Sequence, residues 1–396
     1  MSSAASLKHA SKGSVWLHSG NPQPNSEHRW PWQGICSPSG STREIFNYEQ
    51  WRSVMGDIRK DLQNHPGPPG SPRWVGLITY EAGCILEPAI PALTEGSKKP
   101  LARFWRYENP PHSLPPEEMP LPKASAWATP DEEEHRSRIE KCRQRIASGE
   151  IYQANLSRRI HLKFSTAPDG LKLTQALQAR EQHSYTAWLK VDDDQEIISL
   201  TPEALLRGKV GQTGVASFPI KGTAEPWSET LKSDPKELAE HTMIVDLVRN
   251  DLGRVAEYGS VYVNPMLGTR DLRTLRHVES GVRATLKNGS DVLDALESLL
   301  PGGSITGAPK IRAMQIISEF EQTARGPYGG CVGYFSFNGN LDCCITIRTA
   351  LLKDGHAHVQ AGGGWVNDSV PENEFQETVN KAKAMLKAVA LAEHGM

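Results

Sequence analysis

The chain has 396 residues, enough for one large core or two ordinary domains, and its 44 Lys and Arg offset 46 Asp and Glu to leave a net charge of -2. That balance supplies no global field to gather nucleic acid or an anionic membrane surface, and both are set aside as partners. The opening MSSAASLKHASK lacks the apolar stretch of a secretory signal, no apolar run approaches a membrane span, and the six cysteines show neither C-x-x-C nor zinc spacing, so reduced thiols in a cytoplasmic protein are expected.

In chain order, the first break in composition is ENPPHSLPPEEMPLPKASAWATP, residues 108 to 130, whose proline density argues against helix and sheet interior. It reads as the connection between an N-terminal segment, 1–122, and a larger region, 123–396. Thr129-Pro130-Asp131-Glu132 then reads as a capping box with Pro at the first helical position. Ile139, Cys142 and Ile146 form the helix stripe, and Ser148-Gly149 ends it.

IYQANLSRRIHLKF follows with strand-like alternation. TAWLKV, EIISL, ALLRGKV, SVYVNP, GYFSF, DCCITIRTALL and HAHVQAGGGW repeat the pattern. Helical patterns fall between groups of strands and not after each one, which predicts an α+β fold on antiparallel sheets. Within these runs, PIKGT puts Lys221 just before a Gly turn, where a solvated loop lysine is the plain alternative to a functional one.

Two helices carry paired carboxylates. DPKELAEHTMIVDLVRNDLGRV opens on the capping box Asp234-Pro235-Lys236-Glu237, closes at Gly253, and has a stripe of Leu238, Val245 and Leu252. Glu237 and Glu240 share one face, with capping as the other role open to Glu237. VPENEFQETVNKAKAMLKAVALAEH has a stripe of Phe375, Val379, Ala382, Leu386 and Val389, with Glu374, Glu377 and Lys381 on a neighbouring face. A salt-bridged surface explains that face. Two Glu-x-x-Glu faces could equally hold a hard cation, and oxygen donors favour magnesium over zinc.

Anion-receiving elements lie between and after them. PGGSITGAPK, 301 to 310, gathers glycines before the helix IRAMQIISEF and departs from the nucleotide P-loop pattern after Gly307. QAGGGWVND places Gly362, Gly363 and Gly364 at the end of a strand. Alternation along DCCITIRTA puts Cys344, Thr346 and Arg348 on one face, where Arg348 takes either a structural ion pair or a substrate carboxylate. These residues suggest an enzyme acting on a polyanionic small molecule.

Taken together, PIKGT, ELAEHTMIVDLVRNDLGRV, PGGSITGAPK, YGGCVGYFSFNGNLDCCITIRT and AGGGWVNDSVPENEFQET resemble, in order from about residue 131 to 390, the chorismate-utilising enzymes. That family includes anthranilate synthase large subunits, aminodeoxychorismate synthases, isochorismate synthases and salicylate synthases. VWLHSG and WVGLITYEAG match it weakly. The resemblance implies two antiparallel sheets packed face to face with helices outside, the N-terminal segment adding strands to that body. It implies magnesium held by Glu240 and Glu377, with Glu237 and Glu374 as outer or alternate ligands. Arg348 and Tyr328 would meet the enolpyruvyl carboxylate; Gly362, Gly363, Gly364, Ser304 and Lys381 would complete the anion pocket. His277 matches a histidine near the enolpyruvyl group, and Glu203 the glutamate proposed as general acid at carbon 4.

Two positions separate the branches. Isochorismate and salicylate synthases resemble each other in a water-activating lysine where this chain has Gln153 in YQANLSR, and an amide is no base near neutral pH. Anthranilate synthases resemble PIAGT, whereas PIKGT is similar to aminodeoxychorismate synthases, where the lysine is a nucleophile. The expected reaction is therefore chorismate plus ammonia to 4-amino-4-deoxychorismate, toward 4-aminobenzoate and folate. The alternatives are an anthranilate synthase large subunit and a non-catalytic chorismate- or partner-binding subunit. No glutaminase-like nucleophile appears, so a separate glutamine amidotransferase subunit is the expected ammonia source. EQHSYTAWL stands where family members often carry NPSPY or NPAPY, which puts tryptophan binding in doubt.

Overall fold

The computed structural model describes residues 10–19, 34–64, 71–90, 99–118, 120, 122–129, 131–180, 183–224, 235–271, 276–386 and 390–391. Among them the strands form two large sheets and one small one. The first sheet has ten strands. Nine run in the order Gly34–Cys36, Val15–His18, Tyr185–Asp192, Gln195–Thr201, Thr349–Lys353, His356–Trp365, Gln153–Phe164, Lys123–Thr129 and Ala390–Leu391; Gly307–Ala308 pairs with Gln153–Phe164. The nine-stranded second sheet runs Tyr262–Val263, Val282–Thr285, Gly214–Phe218, Ala204–Lys209, Asn340–Ile345, Cys331–Ser336, Pro72–Ile78, Ala102–Arg106 and Thr42–Ile45. The third pairs Ile220–Ala224 with Arg276–Glu279, and that strand with Gly268–Asp271. The pairings of the larger strands are antiparallel; Ala390–Leu391 joins Lys123–Ala124 in parallel at one edge.

The two large sheets pack face to face, and the period-two alternation of strands shows how. Along Tyr185–Asp192, the side chains of Tyr185, Ala187, Leu189 and Val191 enter a core shared with Val75, Leu77, Val332 and Tyr334 of the opposite sheet. Trp188 points the other way and meets Leu173 and Leu177 of the helix Gly170–Arg180. Helices lie outside: Tyr48–Asn64 and Val292–Leu299 cover the second sheet, while Pro371–Leu386 joins Gly170–Arg180 on the first. Strands from the first 110 residues sit in both sheets, with Val15–His18 pairing Tyr185–Asp192 and Pro72–Ile78 pairing Cys331–Ser336. No helix among the described residues is long and apolar enough to cross a membrane.

Four local expectations change. The helix cap after the proline-rich stretch is Asp131, whose carboxylate accepts from the Glu134 N–H, and the helix is Glu132–Ala147. Thr129 instead ends a strand, paired with Arg159, and Pro130 lies outside the described residues. That strand, Lys123–Thr129, occupies the end of the supposed connection, because prolines thin out after residue 122 and KASAWAT is free to pair. SVYVNP pairs only at Tyr262–Val263, stopping before Pro265. DCCITIRTALL is two strands, Asn340–Ile345 in the second sheet and Thr349–Lys353 in the first, so the single alternating face drawn through Thr346 and Arg348 does not exist. Asp234 and Val389 lie outside the described residues.

Leu17 is fully buried between the sheets. Leu17→Ala is expected to lower unfolding free energy by about 2–5 kcal/mol, because a buried leucine leaves a cavity. Urea unfolding checks this. A loss below about 1 kcal/mol would show the N-terminal strand to be peripheral.

Candidate active site

Chain crossings between the two sheets set the site. Strand Gln195–Thr201 of the first sheet continues through Pro202 and Glu203 into Ala204–Lys209 of the second. Asn340–Ile345 of the second continues through Thr346 to Arg348 into Thr349–Lys353 of the first. The two crossings run side by side: Leu200 N–H donates to Arg348 O and Ile345 N–H to Glu203 O, each at 3.1 Å. Arg348 takes φ of 49° to make its turn, an uncommon conformation for a residue with a side chain. Thr346 ties this corner to the neighbouring loop, donating its N–H to the Gly330 carbonyl and its hydroxyl to Pro327 O. Arg348 and Tyr328 thus face one cleft, and Glu203 enters it from the adjacent crossing.

The cleft is a cavity of about 710 Å³. Its wall includes Lys221, Glu203, His277, Arg348, Tyr328, Gly362, Gly364, Ser304, Lys381, Glu377 and Glu237, so most residues singled out from the sequence share one space. Glu240, Gly363 and Glu374 stand behind that wall. Glu240 is buried and ion-paired with Lys221 at 2.5 Å, and Glu374 accepts from the Ser369 hydroxyl at 2.8 Å. The small third sheet supplies Lys221 and His277, with Lys221 opposite Val278 in its register.

The glycines of the strand His356–Trp365 have specific reasons to lack side chains. A Cβ on Gly362 would lie 2.8 Å from the Tyr328 hydroxyl and 2.5 Å from Asn155 Oδ1. One on Gly363 would approach Glu374 Oε2 to 3.3 Å and Glu377 Oε2 to 3.7 Å, so this glycine runs against the acidic face of the last helix. Lys381 Nζ bridges the same two elements, holding Glu377 at 2.6 Å and the Gly362 carbonyl at 2.9 Å.

Charge in the cleft is ordered by these contacts. Glu203 is pushed up to about 7 by burial, against the opposing influence of Ser304, the Ile220 backbone, Arg270 and Lys381. Burial works against the charge on Lys221, but Glu240, Glu237 and Glu377 outweigh it and hold the ammonium above its usual range. Glu377 also resists burial: Lys381 and Lys221 bring its carboxyl down to about 2. Burial and Lys221 push His241 down to about 4.

Oxygen donors from two helices suit magnesium chemically. As arranged, though, lysines engage Glu240 and Glu377, and no cluster of three acidic, His or Cys side chains among the described residues is close enough to hold an ion. The sequence reading passed over Asn155, Gln360, Asn380 and Lys383, which also line the cleft. Gln360 was recoverable, since it lies on the same strand face as Gly362 and Gly364 by two-residue steps, and Asn155 is the cross-strand partner of Gly364. Four isoleucines, 220, 244, 305 and 347, each within a motif quoted above, add an apolar lining that the motifs' polar residues had overshadowed.

A family profile described as chorismate binding enzyme matches residues 110–387. The chain belongs to this family. Anthranilate synthase component 1 of Acetivibrio thermocellus is 45% identical over 258 residues, 63% of this chain and 51% of that protein. The Bacillus pumilus protein of the same name is 43% identical over 265 residues, 65% and 51% of the two chains. The chain therefore spans about half the length of these curated relatives, 51%. The crystal structure of anthranilate synthase component I from Streptococcus pneumoniae TIGR4 superposes with a TM-score of 0.75 at 29% identity, over 94% of this chain and 92% of that one. A putative 2,3-dihydroxybenzoate-specific isochorismate synthase of Bacillus anthracis shares the fold at TM-score 0.75 and 22% identity, covering 96% and 97%.

A stability test isolates Glu203. Its raised folded pKa favours the protonated form, so its contribution is fully present below pH 4.5 and is lost as pH rises through about 7. Glu203→Gln, a fixed mimic of the neutral acid, is expected to remove roughly 3 kcal/mol of that pH-dependent loss. Urea unfolding at a series of pH values checks it, and parallel wild-type and variant profiles would show that Glu203 ionises freely.

Proposed function

We propose that the chain replaces the hydroxyl on carbon 4 of chorismate with ammonia, forming 4-amino-4-deoxychorismate. The observation that carries this reading is Lys221 in the wall of the same cavity as Glu203. The Lys221 amine attacks carbon 2, both double bonds of the conjugated ring diene shift by one bond, and the carbon 4 hydroxyl departs as water with the proton of Glu203, whose carboxylate can then take the proton that the new carbon–nitrogen bond displaces. Ammonia then attacks carbon 4, both double bonds shift back, and the Lys221 amine leaves carbon 2. Two allylic displacements return the original configuration. Glu203, pushed up to about 7, retains the proton this step needs near neutral pH. Arg348 and Tyr328 orient the enolpyruvyl carboxylate, with Ser304, Lys381 and the glycine strand completing the anion pocket and His277 beside the enolpyruvyl group.

Lys221 must lose a proton before it attacks, and Glu240 opposes that. Magnesium held by Glu240 and Glu377, with Glu237 and Glu374 behind, would neutralise a substrate carboxylate and offset the anionic field on Lys221. Ammonia would come from a glutamine amidotransferase subunit, and the product would lead to 4-aminobenzoate and folate in the cytoplasm. A second reading, anthranilate synthase component I, is favoured by the names and identities of the relatives. It requires ammonia at carbon 2, the region that Lys221 would occupy.

Product analysis with chorismate, magnesium and ammonium salt distinguishes the readings: 4-amino-4-deoxychorismate is expected, and anthranilate as the main product supports the second. Without ammonia, intact mass should reveal a chorismate-derived adduct on Lys221, absent in Lys221→Ala. An alanine variant that makes aminodeoxychorismate at the wild-type rate sinks the covalent route. Glu203→Gln should slow turnover by about 10²- to 10⁴-fold through loss of the acid.

The metal reading has its own test. Glu240→Gln and Glu377→Gln are expected to fold and to lose magnesium-dependent activity. Near-normal turnover of these variants in a chelator would refute it. Glutamine alone should support no turnover until a glutaminase subunit is added, and glutamate release by the isolated chain would contradict that division.

A further inference from the structure

The motif WVGLITYEAG contributes no residue to the chemistry above, but its Glu81 is buried beneath the Tyr328 loop. One Glu81 oxygen accepts from the Arg325 N–H at 2.6 Å and the other from the Gly326 N–H at 3.0 Å; Tyr80 N–H returns a bond to Gly326 O at 2.9 Å. The Arg325 guanidinium, itself only 4% exposed, spreads its donors over separate elements. It holds Glu321 through Nε at 2.8 Å and Nη2 at 2.7 Å, reaches Ile305 O at 2.8 Å through Nη1, and bonds Asn155 O. Glu321 in turn accepts from both Ser157 N–H and its hydroxyl at 2.8 Å, and Gln360 donates to that hydroxyl at 2.7 Å.

Asn155, Ile305, Tyr328 and Gln360 all line the cleft. They stand on four different stretches of chain, and this one buried charge cluster ties those stretches together. Arg325 also lies 4.5 Å over the Tyr80 ring and 5.6 Å from that of Tyr328. Buried networks of this kind are cooperative, since removing one partner leaves the others desolvated and uncompensated.

We propose that Glu81 and Arg325 are positioning residues that fix the end of the cleft facing the enolpyruvyl carboxylate, acting through Tyr328 and the Ser304–Ile305 turn without touching substrate. The inference rests on the reading of the cleft as a chorismate site.

Hydrogen exchange and chorismate kinetics with ammonium salt, measured together on the full chain, test it. Glu81→Ala removes both acceptors. Amides of 303–307 and 325–330 are expected to exchange about tenfold faster or more, the scale of a lost charged hydrogen bond, while those of 185–192 keep their protection. The KM for chorismate should rise by about tenfold or more with kcat held within about threefold, because ground-state contacts are what loosen. Glu81→Gln keeps one acceptor and should fall between. Arg325→Lys keeps the charge without the fork and should resemble Glu81→Ala.

Unchanged exchange in the folded Glu81 variants overturns the inference. So does faster exchange with an unchanged KM, or exchange that accelerates equally throughout the chain. A wild-type protein that consumes no chorismate would refute the reading of the cleft instead, and the exchange data would still decide whether Glu81 holds the loop.

Discussion

The cleft depends on a two-stranded ribbon that belongs to both sheets at once. Thr349 pairs Ser199 in the first sheet, and Ala204 pairs Cys344 in the second, so the same two stretches remain neighbours on either side of the corner. Between these pairings the backbone bonds of Leu200 to Arg348 and of Ile345 to Glu203 carry the ladder around the bend. Such a corner places two side chains where sheets separate and where an apolar core gives way to open volume. Glu203 and Arg348 occupy that position. Their proximity follows from the hydrogen-bond register and not from any attraction between them.

Around that corner, electrostatics is arranged in opposed pairs. Lys221 neutralises Glu240 and Lys381 neutralises Glu377, whereas burial pushes Glu203 up to about 7 against the more distant pull of Arg270 and Lys381. Desolvation makes each assignment costly to reverse, so the cleft stores its charges in a form that responds to an arriving polyanion or cation. The apolar isoleucines sharpen this by lowering the local dielectric. A lysine held as an ammonium is a poor nucleophile, and the covalent route therefore needs the carboxylates to find another positive charge first.

Much of this was legible in the sequence where the signal is local. Strand alternation located Gln153–Phe164 and Tyr185–Asp192, and the seven-residue recurrence of Val245 and Leu252 located the buried face of the helix Pro235–Gly253. Motif resemblance gathered residues from five separated stretches into one wall, which no periodicity could do. What escaped was set by non-local geometry. Nothing in DCCITIRTALL marks the place where the chain leaves one sheet for the other, because Arg348 adopts its turn under the pull of Thr346 on Pro327 and Gly330. Asp131 outcompeted Thr129 as helix cap because Thr129 was already committed to a strand. Asn155 carried no chemical signal of its own and became visible only through pairing register, while Gln360 lay within reach of the alternation along its own strand.

The separation of labour among the sheets has a consequence for how such a protein can change. Lys221 and His277 stand on the small three-stranded sheet, which lies outside both strand ladders of the sandwich. Arg348, Glu203 and the glycines of His356–Trp365 are built into the large sheets and their corner, where a substitution disturbs the shared core. Lys221 is instead carried on an appendage whose pairing partners are few. Variation there disturbs few strand pairings, although replacing Lys221 leaves the buried Glu240 in need of another positive charge. A side chain on that ribbon can therefore be exchanged without breaking the ladder of either large sheet, provided the charge of Glu240 is met in another way.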